Sequence, residues 1–197
     1  MAPTQRIPAV VAAEDGGATW AALEWRLTPR WARERSSKYA TFNARAEDLE
    51  RKPAFRASFQ DRRCLIVAST FYEWARDGTG RAARRRPHAI GLKDGSPLAL
   101  AGVWDQWIDR DTGEVVDSSA VVTTEPNALM GRIHDRMPVV VGPEEREVWL
   151  YGSAAEARHV MRPYDPEAME AVEVSTCVSD ARNKGPSACA RSPIDTL

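Results

Sequence analysis

The sequence has 197 residues, of which 43% are hydrophobic, and this favours one folded domain over a disordered chain. No apolar run approaches the roughly 20 residues that a membrane-spanning helix needs, and the N-terminus lacks the charged start and cleavage site of a secretion signal. Residues 1–100 carry 18 Lys and Arg against 11 Asp and Glu in a chain of net charge −1, so this half is basic enough to attract phosphate groups.

Short runs rich in β-branched residues predict β-strands, because Gly, Pro or Asp clusters bound each of them. The predicted strands cover residues 9–12, 64–68, 88–92, 98–104, 119–124 and 138–141. Two turn sequences, at 93–96 and 109–113, predict hairpin connections. The arginine-rich range 77–87 is interpreted as an exposed charged loop.

Three further segments predict helices. Pro53 suits the first position of one helix, and Pro143 begins a second that ends before Gly152. Residues 154–161 predict a third. Short strands mixed with a few helices are typical of an α+β fold, so we expect a mostly antiparallel or barrel-like sheet flanked by short helices, in a single domain over residues 1–197.

The three cysteines, Cys64, Cys177 and Cys189, form no CxxC pair. This pattern argues against a disulfide framework or a zinc site and fits a reducing cytoplasm. Cys64 lies in an apolar run, so we interpret it as a buried, unreactive thiol. Nothing in the sequence indicates a metal or an organic cofactor.

Several segments combine polar side chains with residues that restrict geometry. Glu73 lies among three aromatic residues, whose packing would disfavour its charged form and suit a general acid, although pairing with an arginine is the structural alternative. His134 could act near neutral pH, or Asp135 or a backbone carbonyl could simply hold it in place. Asn43 could orient a substrate or hold a turn. Without a nearby Ser or Cys, these residues do not form a hydrolase triad.

In combination these segments resemble the SRAP family, the SOS-response-associated proteins that recognise abasic sites in single-stranded DNA. Order and spacing hold over nearly the whole chain. The matching motifs include Ala2-Pro3-Thr4-Gln5, the segment from Trp25 to Trp31 (similar to the family's Trp-Gly-Leu-x-Pro-x-Trp), Asn43-Ala44-Arg45-Ala46-Glu47, Phe71-Tyr72-Glu73-Trp74, Thr123-Thr124-Glu125 and Ile133-His134-Asp135-Arg136-Met137-Pro138.

The resemblance implies chemistry on an abasic sugar, which equilibrates with a ring-opened aldehyde. In the family, the α-amine of an N-terminal cysteine attacks the aldehyde to form a Schiff base, and the thiol then closes a thiazolidine ring. By the same resemblance, Glu73 assists imine formation, His134 assists sugar ring opening, and Asn43 positions the amine or the substrate. The implied DNA contacts are Pro3, Trp31, Arg45 and Thr123.

The sequence departs from the family at its start. The family begins with Met-Cys-Gly-Arg-Phe and a few dozen further residues, whereas this chain begins with Met1-Ala2-Pro3. We therefore expect the first strand of the family fold to be absent, and no thiazolidine crosslink from the chain as given. Two explanations stay open: a start codon assigned at an internal Met, or a non-covalent remnant.

The sequence thus predicts recognition of abasic sites in single-stranded DNA, with covalent crosslinking in the SOS response if the natural protein has the N-terminal cysteine. Peptidase or self-processing activity and plain single-strand binding stay open as alternatives. We expect single-stranded DNA as the partner, no membrane, a monomer, and a cytoplasmic, nucleoid-associated location.

Overall fold

The structure, a computed structural model, describes residues 2–35, 41–77 and 84–180. These residues group into two compact units, and each unit is assembled from separate stretches of the chain. Unit 1 contains the described residues of 1–68, 98–125 and 138–164. Unit 2 contains those of 69–97, 126–137 and 165–197.

Most strands of the described residues follow one another along the chain, and three short helices interrupt them. In order they are β1 Arg6–Ala12, β2 Ala18–Trp25, β3 Asn43–Arg45, α1 Pro53–Asp61, β4 Arg63–Ala68, β5 Phe71–Asp77, β6 Arg84–Leu92, β7 Leu98–Ile108, β8 Val115–Thr124, β9 Met137–Pro138, α2 Arg146–Tyr151, α3 Ala154–Val160 and β10 Met169–Glu173. None of the helices in this part of the chain is long and apolar enough to cross a membrane.

Unit 1 is built around a mostly antiparallel sheet with the strand order β2-β1-β4-β7-β8-β3. β2 also pairs in parallel with β8, where Trp25 lies beside Ser119, and this pairing closes five strands into a barrel. β3 adds to the sheet by pairing in parallel with β8. A barrel-like sheet with three short helices is an α+β fold, so the predicted fold class is confirmed.

The interior of the barrel follows from the alternation of side chains along its strands. In β1, Ile7, Ala9 and Val11 are buried whereas Pro8 is exposed, as expected for a strand with one face on a core. Ile7 lies opposite Leu23 of β2, which is also buried. Small and branched side chains from neighbouring strands therefore fill the barrel.

Trp149 of α2 lies fully buried in the core of unit 1. Its indole N–H donates to the backbone carbonyl of Cys64 in β4 at 2.9 Å, and its ring centroid lies 6.2 Å from that of Phe59 in α1. A single large side chain thus joins two helices to the sheet. Burial of an aromatic residue of this size contributes about 2–3 kcal/mol.

The guanidinium of Arg63, at the start of β4, joins the C-terminal ends of α1 and α2. Its Nη1 donates to the carbonyls of Phe59 and Gln60 at 2.8 and 3.2 Å. Its Nε donates to the carbonyl of Trp149 at 2.5 Å, and its Nη2 donates to the carbonyl of Gly152. The last carbonyls of a helix lack partners within the helix and form the negative end of its dipole, so this buried cation stabilises both helix ends.

Unit 2 contains a three-stranded antiparallel sheet with the order β10-β6-β5. Ile90 of β6 lies between Phe71 of β5 and Ala171 of β10 and is fully buried. Glu73 follows Phe71 by two residues in β5 and lies opposite His88 of β6. This register positions Glu73 on a paired strand rather than in a loop.

The structure confirms some of the predicted connections and corrects others. Residues 109–113 form the predicted hairpin, because β7 and β8 pair up to Ile108 and Val115. Residues 93–96 form a turn but not a hairpin, because β6 pairs with β5 and β10 whereas β7 pairs with β4 and β8. Residues 84–87, predicted to be a loop, belong to β6 because they pair with β5; residues 78–83 lie outside the described residues.

Candidate functional site

Glu73 and His134, the two residues predicted to transfer protons, lie close together in unit 2. Glu73 is on β5, and His134 follows the 3₁₀ turn Met130–Arg132, where its backbone N–H donates to the Met130 carbonyl at 2.8 Å. The Nε2 atom of His134 lies 3.9 Å from Oε2 of Glu73. This distance is too long for a direct hydrogen bond.

The other ring nitrogen of His134 is held by the residues that follow it. The backbone N–H of Arg136 donates to Nδ1 at 3.1 Å, and Oδ1 of Asp135 lies 3.2 Å from the same atom. When Nδ1 accepts the Arg136 N–H, a neutral imidazole carries its proton on Nε2. The nitrogen that bears the proton is then the one nearer to Glu73.

Burial raises the pKa of Glu73 above its ordinary value. A protonated His134 and the backbone N–H of Trp74 oppose this shift, and the Asp135 carboxylate adds to it. A carboxyl group with a raised pKa can exchange a proton closer to neutral pH, as general acid–base catalysis requires. The described residues place no arginine in an ion pair with Glu73, so the arginine pairing considered from the sequence is not seen there.

His88 is a neighbour of Glu73 that the sequence analysis did not include in the site. It lies directly opposite Glu73 in the β5–β6 register, so the two side chains leave the sheet on the same face. Its Nδ1 lies 3.0 Å from the carbonyl oxygen of Arg86. His88 was predicted to begin the strand 88–92, but residues 71–77 were not predicted as a strand, so the pairing that places His88 opposite Glu73 was not foreseen.

Three other predicted site residues lie on β3 and β8 of unit 1. Arg45 is beside Thr123 in the parallel register, and Asn43 is beside Val121. Asn43 and Arg45 are exposed while Ala44 between them is buried, and Thr123 is also buried. Alternation along β3 therefore places an amide and a guanidinium together on its exposed face.

Pro3 lies exposed in a turn that leads into β1. The Gln5 N–H donates to the Ala2 carbonyl at 3.1 Å, and Pro3 and Thr4 occupy the two central positions. Thr4 has a φ of 73°, which suits the third residue of a type II turn but is rare for a β-branched side chain. The Thr4 N–H donates to the Trp25 carbonyl at 2.8 Å, which fixes the turn against the end of β2.

Trp31 is 56% exposed and lies in a turn that closes where the Ala32 N–H donates to the Pro29 carbonyl at 2.9 Å. The indole N–H of Trp107 in β7 donates to the Ala32 carbonyl, also at 2.9 Å. The turn is therefore anchored to the barrel while the Trp31 ring stays accessible. An anchored, exposed indole suits base stacking.

The structure thus brings Glu73 together with His134, and Asn43 and Arg45 together with Thr123, whereas Pro3 and Trp31 lie on separate turns of unit 1. Over residues 2–35, 41–77 and 84–180, no group of His, Cys, Asp and Glu side chains is placed to hold a metal ion.

The thiol of Cys64 is fully buried, as predicted, and burial raises its pKa. Cys177 is exposed. Cys189 lies outside the described residues. A buried neutral thiol is a poor nucleophile, so Cys64 has no place in the chemistry of this site.

A protein-family model described as SOS response associated peptidase (SRAP) matches residues 1–181. The chain belongs to the SRAP family. Every site residue discussed above lies within the matched range, so the SRAP resemblance inferred from the motifs is confirmed.

Curated SRAP relatives include the abasic site processing protein YoqW of Bacillus subtilis, which is 36% identical over 190 residues that cover 94% of this chain and 82% of YoqW. The abasic site processing protein HMCES of Xenopus tropicalis is 30% identical over 185 residues, which cover 84% of this chain and 55% of HMCES. A crystal structure of a protein from Bacteroides thetaiotaomicron has a TM-score of 0.84 and 30% identity, over 96% of this chain and 82% of that one. A second, from Bordetella bronchiseptica, has a TM-score of 0.79 and 26% identity, over 89% and 86% of the two chains.

Proposed function

We propose that this chain recognises abasic sites in single-stranded DNA as part of the DNA-damage (SOS) response, as a monomer in the cytoplasm at the nucleoid. The observation that carries the proposal is the pair of Glu73 and His134, a partly buried carboxyl group with a raised pKa 3.9 Å from an imidazole. The SRAP relatives named as abasic site processing proteins support the abasic site as the substrate.

The pair is suited to opening the abasic sugar. The closed sugar is a cyclic hemiacetal, and opening it requires a proton on the ring oxygen and the loss of a proton from the C1′ hydroxyl. A protonated His134 can donate a proton from Nε2 to the ring oxygen and become a neutral imidazole, while the carboxylate of Glu73 accepts the hydroxyl proton. The raised pKa of Glu73 makes it a better proton acceptor than an ordinary glutamate.

Glu73 then holds the proton that the next step needs. When a primary amine adds to the C1′ aldehyde, the carbinolamine must lose its hydroxyl group as water, which needs a proton on that hydroxyl, and then lose a proton from nitrogen to become a neutral imine. A protonated Glu73 can supply the proton to that leaving hydroxyl. One carboxyl group thus takes up a proton in ring opening and returns it in imine formation, which an ordinary glutamate with a pKa of about 4.3 does poorly at neutral pH.

A cysteine at a free N-terminus would make the capture covalent. Its α-amine, with a pKa of about 7.7–8.0, is far more often neutral at pH 7 than a lysine with a pKa of about 10.4. After the imine forms, the thiol sulfur adds to the imine carbon and the thiol proton moves to the nitrogen, which closes a thiazolidine without oxidation or reduction. We further propose that Asn43 positions this amine and that Pro3, Trp31, Arg45 and Thr123 contact the DNA.

The proposal is tested by measuring binding of the chain to matched single-stranded oligonucleotides with and without one abasic site, over a range of salt concentrations. Lesion recognition predicts tighter binding to the abasic oligonucleotide at every salt concentration. Binding by charge alone predicts equal affinities and a steep dependence on salt. Equal affinity for the two oligonucleotides would overturn lesion recognition.

Covalent capture is tested separately on two forms of the protein. The chain as printed, in which the cysteines are Cys64, Cys177 and Cys189, is expected to give no adduct that survives heat and denaturant. A form that begins with the family's cysteine segment is expected to give one. In that form, Glu73→Gln should slow adduct formation about a hundredfold while binding persists. An unchanged rate would remove Glu73 from the mechanism.

A further inference from the structure

An open pocket of about 410 Å³ in unit 1 is lined by three arginines, Arg30, Arg62 and Arg110, together with Gln106 and Ile108. The arginines come from three parts of the chain: the segment between β2 and β3, the end of α1, and the β7–β8 turn. None of them belongs to the site predicted from the sequence. The fold therefore gathers three positive charges that are far apart in the sequence.

Asp105 of β7 fixes two of these arginines in place. Its side chain is 2% exposed, and its Oδ1 accepts hydrogen bonds from Arg30 Nε at 3.0 Å and from Arg62 Nη1 at 2.9 Å. The backbone N–H groups of Arg30 and Gln106 also donate to this carboxylate, at 2.9 and 3.0 Å. One carboxylate between two guanidinium groups leaves one positive charge in excess.

The two fixed guanidinium groups remain accessible to a ligand. The side chains of Arg30 and Arg62 are 43% and 29% exposed, and Arg62 also lies over the ring of Trp104, 5.7 Å from its centroid. Side chains that are already held lose little freedom when they bind an anion, and the guanidinium group matches the geometry of phosphate oxygens.

Arg110 adds a third positive charge from the exposed β7–β8 turn, and it forms no ion pair with a described residue. Three carboxylates of the same hairpin lie close to it in the chain or across the strand pairing: Asp109 and Asp111 flank Arg110, and Asp117 lies opposite Gln106. Asp109 accepts two backbone N–H groups of its own turn at 2.9 and 2.8 Å, and Asp117 accepts the Gln106 side-chain amide at 2.9 Å. They offset part of the positive charge without occupying the Arg110 guanidinium.

An exposed indole lies next to the pocket in the chain. Trp31 directly follows Arg30, and consecutive Cα atoms are about 3.8 Å apart. The bonds from Arg30 to Asp105 and from Trp107 to Ala32 anchor this turn on both sides of the exposed Trp31 ring. Guanidinium groups next to an exposed indole form the combination with which proteins bind single strands, phosphate at the cations and a base on the ring.

We propose that this three-arginine pocket binds a backbone phosphate of a single-stranded nucleic acid, next in the chain to the Trp31 contact already proposed. The inference rests on the proposed function and extends it, because it assigns strand binding to residues other than those that act on the lesion. Such a contact is independent of base sequence and of the lesion, so it should strengthen binding to intact and abasic strands alike.

Arg110→Gln tests the pocket without disturbing the fold, because this side chain is exposed and has no carboxylate partner among the described residues. Arg146→Gln, at the exposed first residue of α2, is the matched control. Arg110→Gln should weaken binding to both oligonucleotides about fivefold at low salt and reduce the slope of log K against log salt by about 0.7. Arg110→Glu should weaken binding further, and Arg146→Gln should match the wild type.

Each outcome bears on the pocket separately from the lesion site. The proposal for the pocket is overturned if Arg110→Gln leaves the slope of log K against log salt unchanged, or if Arg146→Gln lowers that slope equally. Inorganic phosphate is titrated in parallel; if it saturates the wild type without weakening oligonucleotide binding, the pocket binds a free anion and the strand proposal is overturned. If the wild type shows no lesion preference but Arg110→Gln still lowers the slope, lesion recognition fails and the pocket stands.

Discussion

Oε2 of Glu73 and Nε2 of His134 lie 3.9 Å apart, and the two groups share one electrostatic environment. Burial raises the pKa of Glu73, whereas positive charge on His134 lowers it. The proton affinity of the Glu73 carboxyl group therefore depends on whether the imidazole is charged. The raised pKa of Glu73 decides the direction of the stability change in the first prediction.

Glu73→Gln is expected to make the protein more stable at pH 7. Because the pKa of Glu73 is higher in the folded than in the unfolded state, the folded state binds more protons between these two values and loses stability as pH rises through them. A glutamine does not titrate and avoids this loss. Urea unfolding at several pH values should show the gain at pH 7 and its disappearance below the ordinary glutamate pKa of about 4.3.

The matched control for this variant is Glu173→Gln in β10. Glu173 is 38% exposed and forms a surface ion pair with Arg86 at 3.0 Å, so its replacement should cost about 0–1 kcal/mol at pH 7. If Glu73→Gln is instead less stable than the wild type at pH 7, the direction assigned to the Glu73 pKa is wrong.

His134→Gln is expected to reduce the preference for abasic over intact oligonucleotide about threefold to tenfold, the usual worth of one hydrogen bond to a substrate hydroxyl. His88→Gln is the matched control, because His88 also lies beside Glu73 but its Nδ1 faces the Arg86 carbonyl at 3.0 Å. Its lesion preference should stay close to that of the wild type. Equal losses in the two variants would mean that the imidazole of His134 has no special role.

Gly102→Ala is expected to destabilise the barrel by about 1–3 kcal/mol, because the core there is already filled. A Cβ at Gly102 would lie 2.7 Å from Cys64 Sγ and 2.9 Å from Ile66 Cδ1. Adding Cys64→Ala should recover part of the loss, and chemical denaturation of the single and double variants measures the coupling. Gly131→Ala, whose new Cβ would meet only Pro126 Cγ at 3.9 Å, should change stability little.

Arg63→Met is expected to cost about 3–5 kcal/mol, since it leaves carbonyls at the ends of α1 and α2 without a donor. The stability of Arg63→Lys should fall between those of the wild type and Arg63→Met, because a lysine keeps the charge but lacks the planar guanidinium group. Thermal and urea unfolding measure both. The control is Arg158→Gln, which breaks an exposed pair with Glu50 at 2.7 Å and should cost about 0–1 kcal/mol. A similarly small cost for Arg63→Met would show that Arg63 does not stabilise the two helix ends.

The helices and the most apolar strands were predictable from sequence because their signals are local. Pro53 begins α1 as predicted, and Ser153 with Glu156 forms the capping box that begins α3. β2 was missed, because the alanine-rich run of Ala18–Trp25 lacks a strand pattern and becomes a strand through its pairing with β1 and β8. The arginines of β6 were assigned to a loop for a similar reason: charged residues fit an exposed sheet face as well as a loop.

The site was predictable in its residues but not in its grouping. Glu73 and His134 were identified from their motifs, yet their 3.9 Å separation depends on the path of the chain between β5 and the Met130–Arg132 turn. His88 and the three-arginine pocket were missed because strand register and burial around Asp105 create them. Strand register and burial bring together residues that are distant in the sequence, so no local sequence motif predicts these groupings.

The interleaving of the two units has a consequence for how the protein is made on the ribosome. β8 pairs with β2 and β3, which are synthesised long before it, and β6 pairs with β10, which is synthesised long after it. Neither unit can mature while the nascent chain is half synthesised, because each includes stretches from both halves. We therefore expect late folding close to chain release, with exposed strand edges that make the unfinished chain a client for chaperones.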